Sequence, residues 1–188
     1  MSDQVQKIPL ANPGPLGLLG FGMTTVLLNL HNAGLYPLNV VIIAMGLALG
    51  GLAQIIAGIF DFKNGNTFGG TAFCAYGTFW WSLILLWYWP TSGPAAASSA
   101  LVMGYYFLLW GVFTGFMFIG TIKISGSLMF VFATLTILFF LLAIENFSGA
   151  TVVGKIAGVE GTVCGLSAIY TSVGTVINGE WGRKIFPL

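Results

Sequence analysis

The side chains that could do chemistry in this 188-residue chain are few and scattered. There is one histidine, His31, two cysteines, Cys74 and Cys164, and five Asp and Glu residues in all. No serine elbow, phosphate-cradling glycine loop or carboxylate cluster accompanies them, so the signatures of hydrolases, kinases and dinucleotide enzymes are absent. A metal site would need more His, Cys or carboxylate ligands than any one region supplies. The chain is therefore expected not to be an enzyme and to carry no cofactor or metal. Both cysteines fall inside apolar runs and read as small packing residues, not as a disulfide.

What remains is a set of uncharged polar residues inside apolar runs: Thr24, Thr25, Asn29, Gln54, Thr71, Tyr76, Thr78, Thr114, Thr134, Thr136, Ser167 and Thr171. Hydroxyls and amides donate hydrogen bonds without the cost of burying an ion, as the lining of a pore for a small anion or its acid requires. Each Ser or Thr can equally bond the carbonyl one turn back, or a neighbouring helix. Gln54 and Asn29 cost more to leave unpaired. A further candidate is the heptad Asn12-Pro13-Gly14-Pro15-Leu16-Gly17-Leu18. Proline suits a first helical turn, and Asn12 is placed to cap it. A helix N-terminus with free N–H groups attracts carboxylates, so a plain cap and an anion vestibule are both open readings.

The elements that must position these residues follow from composition. Hydrophobic residues make up 57 % and charged residues 6 %, against about 25 % charged in soluble domains. Such a surface must face lipid. A bilayer core about 30 Å thick needs about 20 apolar residues per helix. Six runs fit, over 15–33, 39–61, 67–89, 100–120, 127–146 and 151–177, within a single transmembrane domain over 1–188. The expected fold is an all-α membrane protein of six transmembrane helices. The runs lack the alternation a membrane barrel requires. The opening MSDQVQKIPLANPGP does not read as a cleaved signal peptide, and a net charge of +1 leaves no basic patch for nucleic acid.

Placing the N-terminus inside puts Lys7, Lys63, Lys123, Arg183 and Lys184 on the inner side and only Lys155 outside, so both termini are expected to be cytoplasmic. Trp87, Tyr88 and Trp89 suit an outer interfacial belt, with Trp80 and Trp81 deeper, between helices. The 27 glycines include pairs four apart, such as Gly46 and Gly50 or Gly161 and Gly165, that let helix backbones approach. A weak internal repeat pairs MGLALGG and its following basic turn with MGYYFLLWG and its own. Three such units would set the odd helices around one axis, as in many transport folds. Glu145 reads as an outer-interface residue, Glu160 as a peripheral polar contact, and His31 as hydrogen-bonded at the outer end of helix one.

The heptad NPGPLGL resembles NPAPLGL, the signature of the acetate uptake transporter family, with Gly14 in place of its alanine. The likeness runs on through GFGMTTVLLNLHN, AMGLALGGLAQIIAG, KNGNTFGGTAF, LLWGVFTGFMF, LTILFFLLAI and SAIY, along the whole chain. The resemblance implies six transmembrane helices per protomer, a homohexameric ring with one pathway in each copy, and residence in the cell's inner membrane. It implies acetate as substrate, with succinate and related small carboxylates, moved in a channel-like or proton-coupled manner. The family's apolar constriction maps onto Phe21, Tyr76 and Leu135. Its motif asparagine maps onto Asn12, and polar lining positions onto Thr24 and Gln54. An acetate methyl suits Phe21 and Leu135, Tyr76 offers a hydroxyl, and ring edges carry partial positive charge. A lysine there would hold the ion too tightly for conduction. Competing readings are a small neutral-solute channel, such as a urea pore, and a non-transporting membrane scaffold with a plugged interior.

Overall fold

The computed structural model of the protein describes residues 10–88 and 97–188. Among them are six helical rods and no strand. We label these α1 (Gly14–Asn32), α2 (Val40–Lys63), α3 (Thr67–Tyr88), α4 (Ala100–Thr121), α5 (Gly126–Ser148) and α6 (Thr151–Trp181). Trp89 and Lys7 lie outside the described residues.

Local chemistry sets the ends. The side chains of Asn39, Ser99 and Ser125 accept from the N–H groups of Val41, Val102 and Leu128, capping α2, α4 and α5, since the first N–H groups of a helix have no internal partner. Helix α5 stops at Gly149, whose φ of 69° closes the end in a left-handed turn. Helix α6 runs past the expected stop at Ile177. Asn178 continues it by folding the tail back, its Oδ1 accepting from the N–H groups of Ile185 and Phe186.

Helices α2, α4, α5 and α6 are each long and apolar enough to cross a membrane. Helices α1 and α3 fall short of that measure, although six equivalent spans were expected. The reason is where they sit. Gly17, Gly20, Gly22, Thr24, Thr25 and Asn29 are the buried small and polar residues of α1, and α3 buries Gly69, Gly70, Tyr76 and Gly77. Both helices spend polar and small residues on protein contacts. Large apolar side chains on the outer helices, such as Leu109, Phe116 and Val159, stand 62 to 72 % exposed, the pattern of a lipid-facing surface.

Glycines fix a close crossing of α1 and α6. A methyl on Gly22 of α1 would meet the Gly165 carbonyl oxygen at 2.7 Å, and one on Gly165 of α6 would meet that of Gly22 at 2.8 Å. The two backbones therefore touch. Helices α3 and α4 are instead bridged by side chains: Tyr76 Oη and Thr114 Oγ1 are 2.9 Å apart, Ser82 Oγ and Tyr106 Oη 2.7 Å.

Helix α2 holds a feature the sequence did not announce. It opens as an α-helix over Val40–Met45, widens to a π-helix over Gly46–Ala53, and returns to α over Gln54–Lys63. Helical stretches of this kind are rare and concentrate at functional sites. Two side chains hold it: Trp81 Nε1 donates to the Leu47 carbonyl at 3.1 Å, and Thr24 Oγ1 donates to that of Met45 at 3.3 Å. Trp80 lies flat against Gly50. Trp80 thus packs between helices as expected, whereas Trp81, although bonded to α2, is exposed; Gln54 is the first residue after the wide turns.

Candidate functional site

Two cavities enter the bundle from opposite ends. The first, of about 170 Å³, opens where α1 and α3 begin and α2 ends. Its polar lining is Gln54, Asp61 and Asn66, set among Leu18, Leu128, Val131 and several phenylalanines. The second, of about 240 Å³, opens at the other end. It carries Thr25, Asn29, His31, Asn32, Glu145 and Asn146, with Trp87 and Met103 at its rim. The two cavities share three lining residues: Phe21, Tyr76 and Leu135. These come from α1, α3 and α5, the odd-numbered helices that the internal repeat set around one axis.

The shared wall is rigidly held. Tyr76 is buried, its ring 6.1 Å from that of Phe21 and 5.7 Å from that of Phe113. Thr114, which fixes the Tyr76 hydroxyl, also donates to the Trp110 carbonyl at 2.7 Å. Leu135 is buried between Phe132 and the neighbouring helices. The wall therefore offers one phenol edge, one phenyl ring and one branched aliphatic group, with no carboxyl, amine or imidazole.

The other residues proposed from the sequence divide. Gln54 is fully buried, lines the first cavity, and has no hydrogen-bond partner for either amide atom among the described residues. Asn12 is exposed at the mouth of the same end. Its Oδ1 accepts from the Gly14 N–H at 2.9 Å, so it bonds the first N–H of α1 from two residues outside the helix, across the cap residue Pro13, and Gly14 lines the cavity. The heptad is anchored further in by Ser172 Oγ, which donates to the Pro15 carbonyl at 2.6 Å. Thr24 is fully buried but lines neither cavity. It donates to Gly20 and to Met45, the residue just before the π segment, and so shapes α2 from behind.

Most hydroxyls in the candidate set bond the carbonyl one turn back: Thr78 to Cys74, Thr134 to Phe130, Thr136 to Phe132 and Thr171 to Ser167. Helical threonines commonly do so. At the second cavity Asn29 donates to the Thr25 carbonyl, Asn32 to Asn29 Oδ1 and Asn146 to the Leu142 carbonyl. His31 Nδ1 lies 2.8 Å from the Tyr36 carbonyl oxygen, matching its expected structural bonding, and it also lines the cavity. The Tyr36 hydroxyl donates to Leu27, and burial in this loop pushes its pKa above the usual tyrosine value.

Three placements were not foreseen. Asp61 is only 2 % exposed and lines the first cavity. Its Oδ1 accepts from Asn66 Nδ2 at 3.0 Å, while Oδ2 has no partner among the described residues. A signal was available: Gln54 and Asp61 stand seven apart, which puts both on one helix face. Glu145 faces the second cavity and packs against Gly154 of α6. Glu160 lines neither of the two cavities, yet both its oxygens are buried without a partner among the described residues. Among those residues no cluster of His, Cys, Asp and Glu could hold a metal ion.

Comparison with known proteins identifies the family and the fold. Residues 2–182 match the GPR1/FUN34/yaaH family. The chain is 52 % identical to the succinate-acetate/proton symporter SatP of Escherichia coli K12, over 95 % of each chain. It superposes on the solved structure of the bacterial acetate channel SatP with a TM-score of 0.93 at 52 % identity, covering 95 % of this chain and 99 % of that one. It is also 37 % identical to ammonia transport outward protein 2 of Saccharomyces cerevisiae, over 86 % of this chain and 60 % of that protein.

Proposed function

The chain belongs to the GPR1/FUN34/yaaH family, and from that premise we propose that it carries acetate and related small carboxylates, succinate among them, across a membrane. One observation carries the reading. Cavities from both ends of a lipid-facing bundle stop at one thin wall, Phe21, Tyr76 and Leu135. A wall one side chain thick passes a solute when those side chains move by a rotamer, and a solid scaffold has no use for it. The relatives that share half of the sequence are a symporter and a channel, not enzymes.

The finer features of the reading are these. All six rods cross the membrane within one domain, residues 1–188, and both termini face the cytoplasm. The end holding Asp61 also holds Lys63, Lys123, Arg183 and Lys184, with Lys155 at the other, which supports that orientation. Both cavities are lined by one chain, which supports a separate pathway in each copy of a homohexameric ring in the inner membrane. Substrate passes the capped helix start at Asn12 and the amide of Gln54, with Phe21, Tyr76 and Leu135 as the selective constriction. Thr24 serves the pathway indirectly, by holding the π segment that precedes Gln54.

The test is uptake of labelled acetate into liposomes holding the purified protein. Entry faster than into empty vesicles is expected, with competition by succinate and none by urea. Equal entry in both would remove the transport reading, and urea competition would replace it with that of a neutral-solute channel. Ammonium flux without acetate flux would point instead toward the substrate named for the yeast relative.

A further inference from the structure

The first cavity, which we call the inner vestibule, presents an unusual pair. Gln54 and Asp61 project from one face of α2, about 10 Å apart along its axis. Three of their four polar side-chain atoms are buried without partners among the described residues. Buried polar groups are nearly always bonded, so unbonded atoms on two side chains that line a cavity, themselves covered from water, point to a partner reached when those side chains turn toward the cavity. Asp61 is held in place from one side only: Asn66 Nδ2 donates to Oδ1 at 3.0 Å, Asn66 Oδ1 accepts from the Gly69 N–H at 3.0 Å, and Gly69 packs directly on the carboxyl. That arrangement orients the carboxyl and leaves Oδ2 uncommitted.

Among the described residues no positive group lines the vestibule. The vestibule residues contributed by α1 are Gly14, Leu18 and Phe21. Those of α3 include Asn66, Gly69 and Tyr76, and those of α5 are Leu128, Val131, Phe132 and Leu135. Among the described residues that line it, Asp61 and Tyr76 are the only titratable ones, and no Lys, Arg or His is present. Lys63 on the same helix is turned away, its Nζ 5.3 Å from the Phe60 ring centre. A carboxylate substrate arriving here meets a carboxyl with no cation to separate them. Two ionised carboxylates cannot share such a site, whereas a pair holding one proton can.

We propose that Asp61 is the proton-exchanging group of the inner vestibule, shuttling one proton to and from the carboxyl group of a small carboxylic acid passing the Phe21, Tyr76 and Leu135 constriction. The inference rests on the transport reading above and adds the residue that couples a proton to it. The step balances. Once the Asp61 side chain turns its carboxyl toward the cavity, an O–H bond forms on that carboxylate as that of the acid breaks, leaving a carboxylate on the substrate and a neutral carboxyl on Asp61. The carboxyl then loses its proton to water at the vestibule mouth, and the reverse sequence serves export. Gln54 is placed to donate its amide N–H to the substrate on the constriction side. An acidic group at this place excludes bare anions and admits the anion only together with a proton.

The experiment compares the wild type, Asp61→Asn and Asp61→Glu in proteoliposomes. Protein-mediated acetate flux, corrected for empty vesicles, is measured from about pH 5.5 to about pH 7.5, with and without an imposed potassium diffusion potential. In the wild type, flux falls up to about tenfold per pH unit, as for a single required proton, and ignores the potential. In Asp61→Asn the remaining flux changes less than about twofold per pH unit and responds to the potential, because the anion now moves alone. Asp61→Glu keeps the wild-type form, displaced along the pH axis. If Asp61→Asn gives no flux, a pH-dependent, potential-insensitive flux in Asp61→Glu sustains the proposal, and loss in both overturns it. An Asp61→Asn profile equal to the wild type also overturns it. A wild type no faster than empty vesicles refutes the transport reading itself, which is a different result.

Discussion

The two vestibules face each other across the same three side chains yet use their polar groups in opposite ways. The larger one is rich in amides, and they are occupied: Asn29, Asn32 and Asn146 all donate to protein acceptors within α1 and α5. The smaller one is poorer in polar groups; Asn66 and Tyr76 are bonded, but both amide atoms of Gln54 and one oxygen of Asp61 have no partner among the described residues. A polar group already satisfied by its own helix holds the wall in shape and attracts water. A vacant one in a mostly apolar pocket is a site waiting for a ligand, because each unmade bond costs about 1–3 kcal/mol until something fills it. The polar-looking entrance is thus the hydrated approach, and the greasy one is where recognition is concentrated.

The change that breaks both vestibules at once has the largest expected effect. Gly22→Leu inserts a side chain where the α1 and α6 backbones touch, with the Gly165 carbonyl at 2.7 Å and Ile169 beside it. No flexible side chain can give way to it, so the cost exceeds the usual 1–3 kcal/mol of an overpacked core. The expected outcome is loss of monodisperse protein on size-exclusion in detergent. A stable, transporting variant would mean that α1 and α6 do not cross as described.

Next comes the wall itself. Tyr76→Ala removes a buried ring that touches Phe21, Trp110, Phe113 and Phe132, and it joins the two cavities. A large-to-small change of this kind costs about 3–5 kcal/mol, so the variant is expected to unfold at lower temperature while gaining flux for solutes the size of lactate and succinate. Tyr76→Phe is the sharper control. It keeps the ring and loses one hydrogen bond, worth about 1 kcal/mol, and Thr114 stays bonded to the Trp110 carbonyl. Size selectivity should survive in Tyr76→Phe and fail in Tyr76→Ala. The same selectivity in both variants would place the constriction elsewhere.

Much of this was readable before any coordinates. Helix positions follow from apolar run length, because lipid leaves backbone groups no other way to bond, and the turns at Asn64-Gly65 and Gly149 are written in residues that tolerate positive φ. The common wall of Phe21, Tyr76 and Leu135 was named from resemblance, since a phenylalanine in an apolar helix carries no local mark of its role. The π segment was not legible: its backbone bonding is decided by tryptophans some 30 residues away in sequence. Thr24 was counted as lining because composition cannot say which way a buried hydroxyl turns. Asp61 was passed over because the run was expected to end at it, in a polar link. Helix α2 in fact continues to Lys63 and carries the carboxyl inward.

Gln54→Leu separates stability from function on the inner side. The substitution keeps volume and removes two buried polar atoms that have no partner among the described residues. Deleting such a group is neutral or stabilising by about 1 kcal/mol, and residues kept for function often trade in this direction. The expected signature is an unchanged or higher melting temperature together with acetate flux reduced about tenfold, the value of one good hydrogen bond to a charged group. A fall in both would make Gln54 a structural residue, and the asymmetry between the vestibules would lose its main support.

The matching change on the outer side should do almost nothing, which is what makes it informative. Thr25 is buried, lines the larger vestibule, and its hydroxyl has no partner among the described residues, so by the vacancy criterion it competes with Gln54. It differs in context. The amide of Asn29 lies one turn away and bonds the Thr25 carbonyl at 2.9 Å, so the backbone there is already fixed and the approach already polar. Thr25→Val preserves shape and removes only the hydroxyl. Acetate flux within about twofold of wild type is expected, with a melting temperature unchanged or slightly raised, as for a lost bond that was never made. A drop comparable to that of Gln54→Leu would show that a substrate is gripped on both sides of the wall. The outer vestibule would then be a second recognition site and not a hydrated approach.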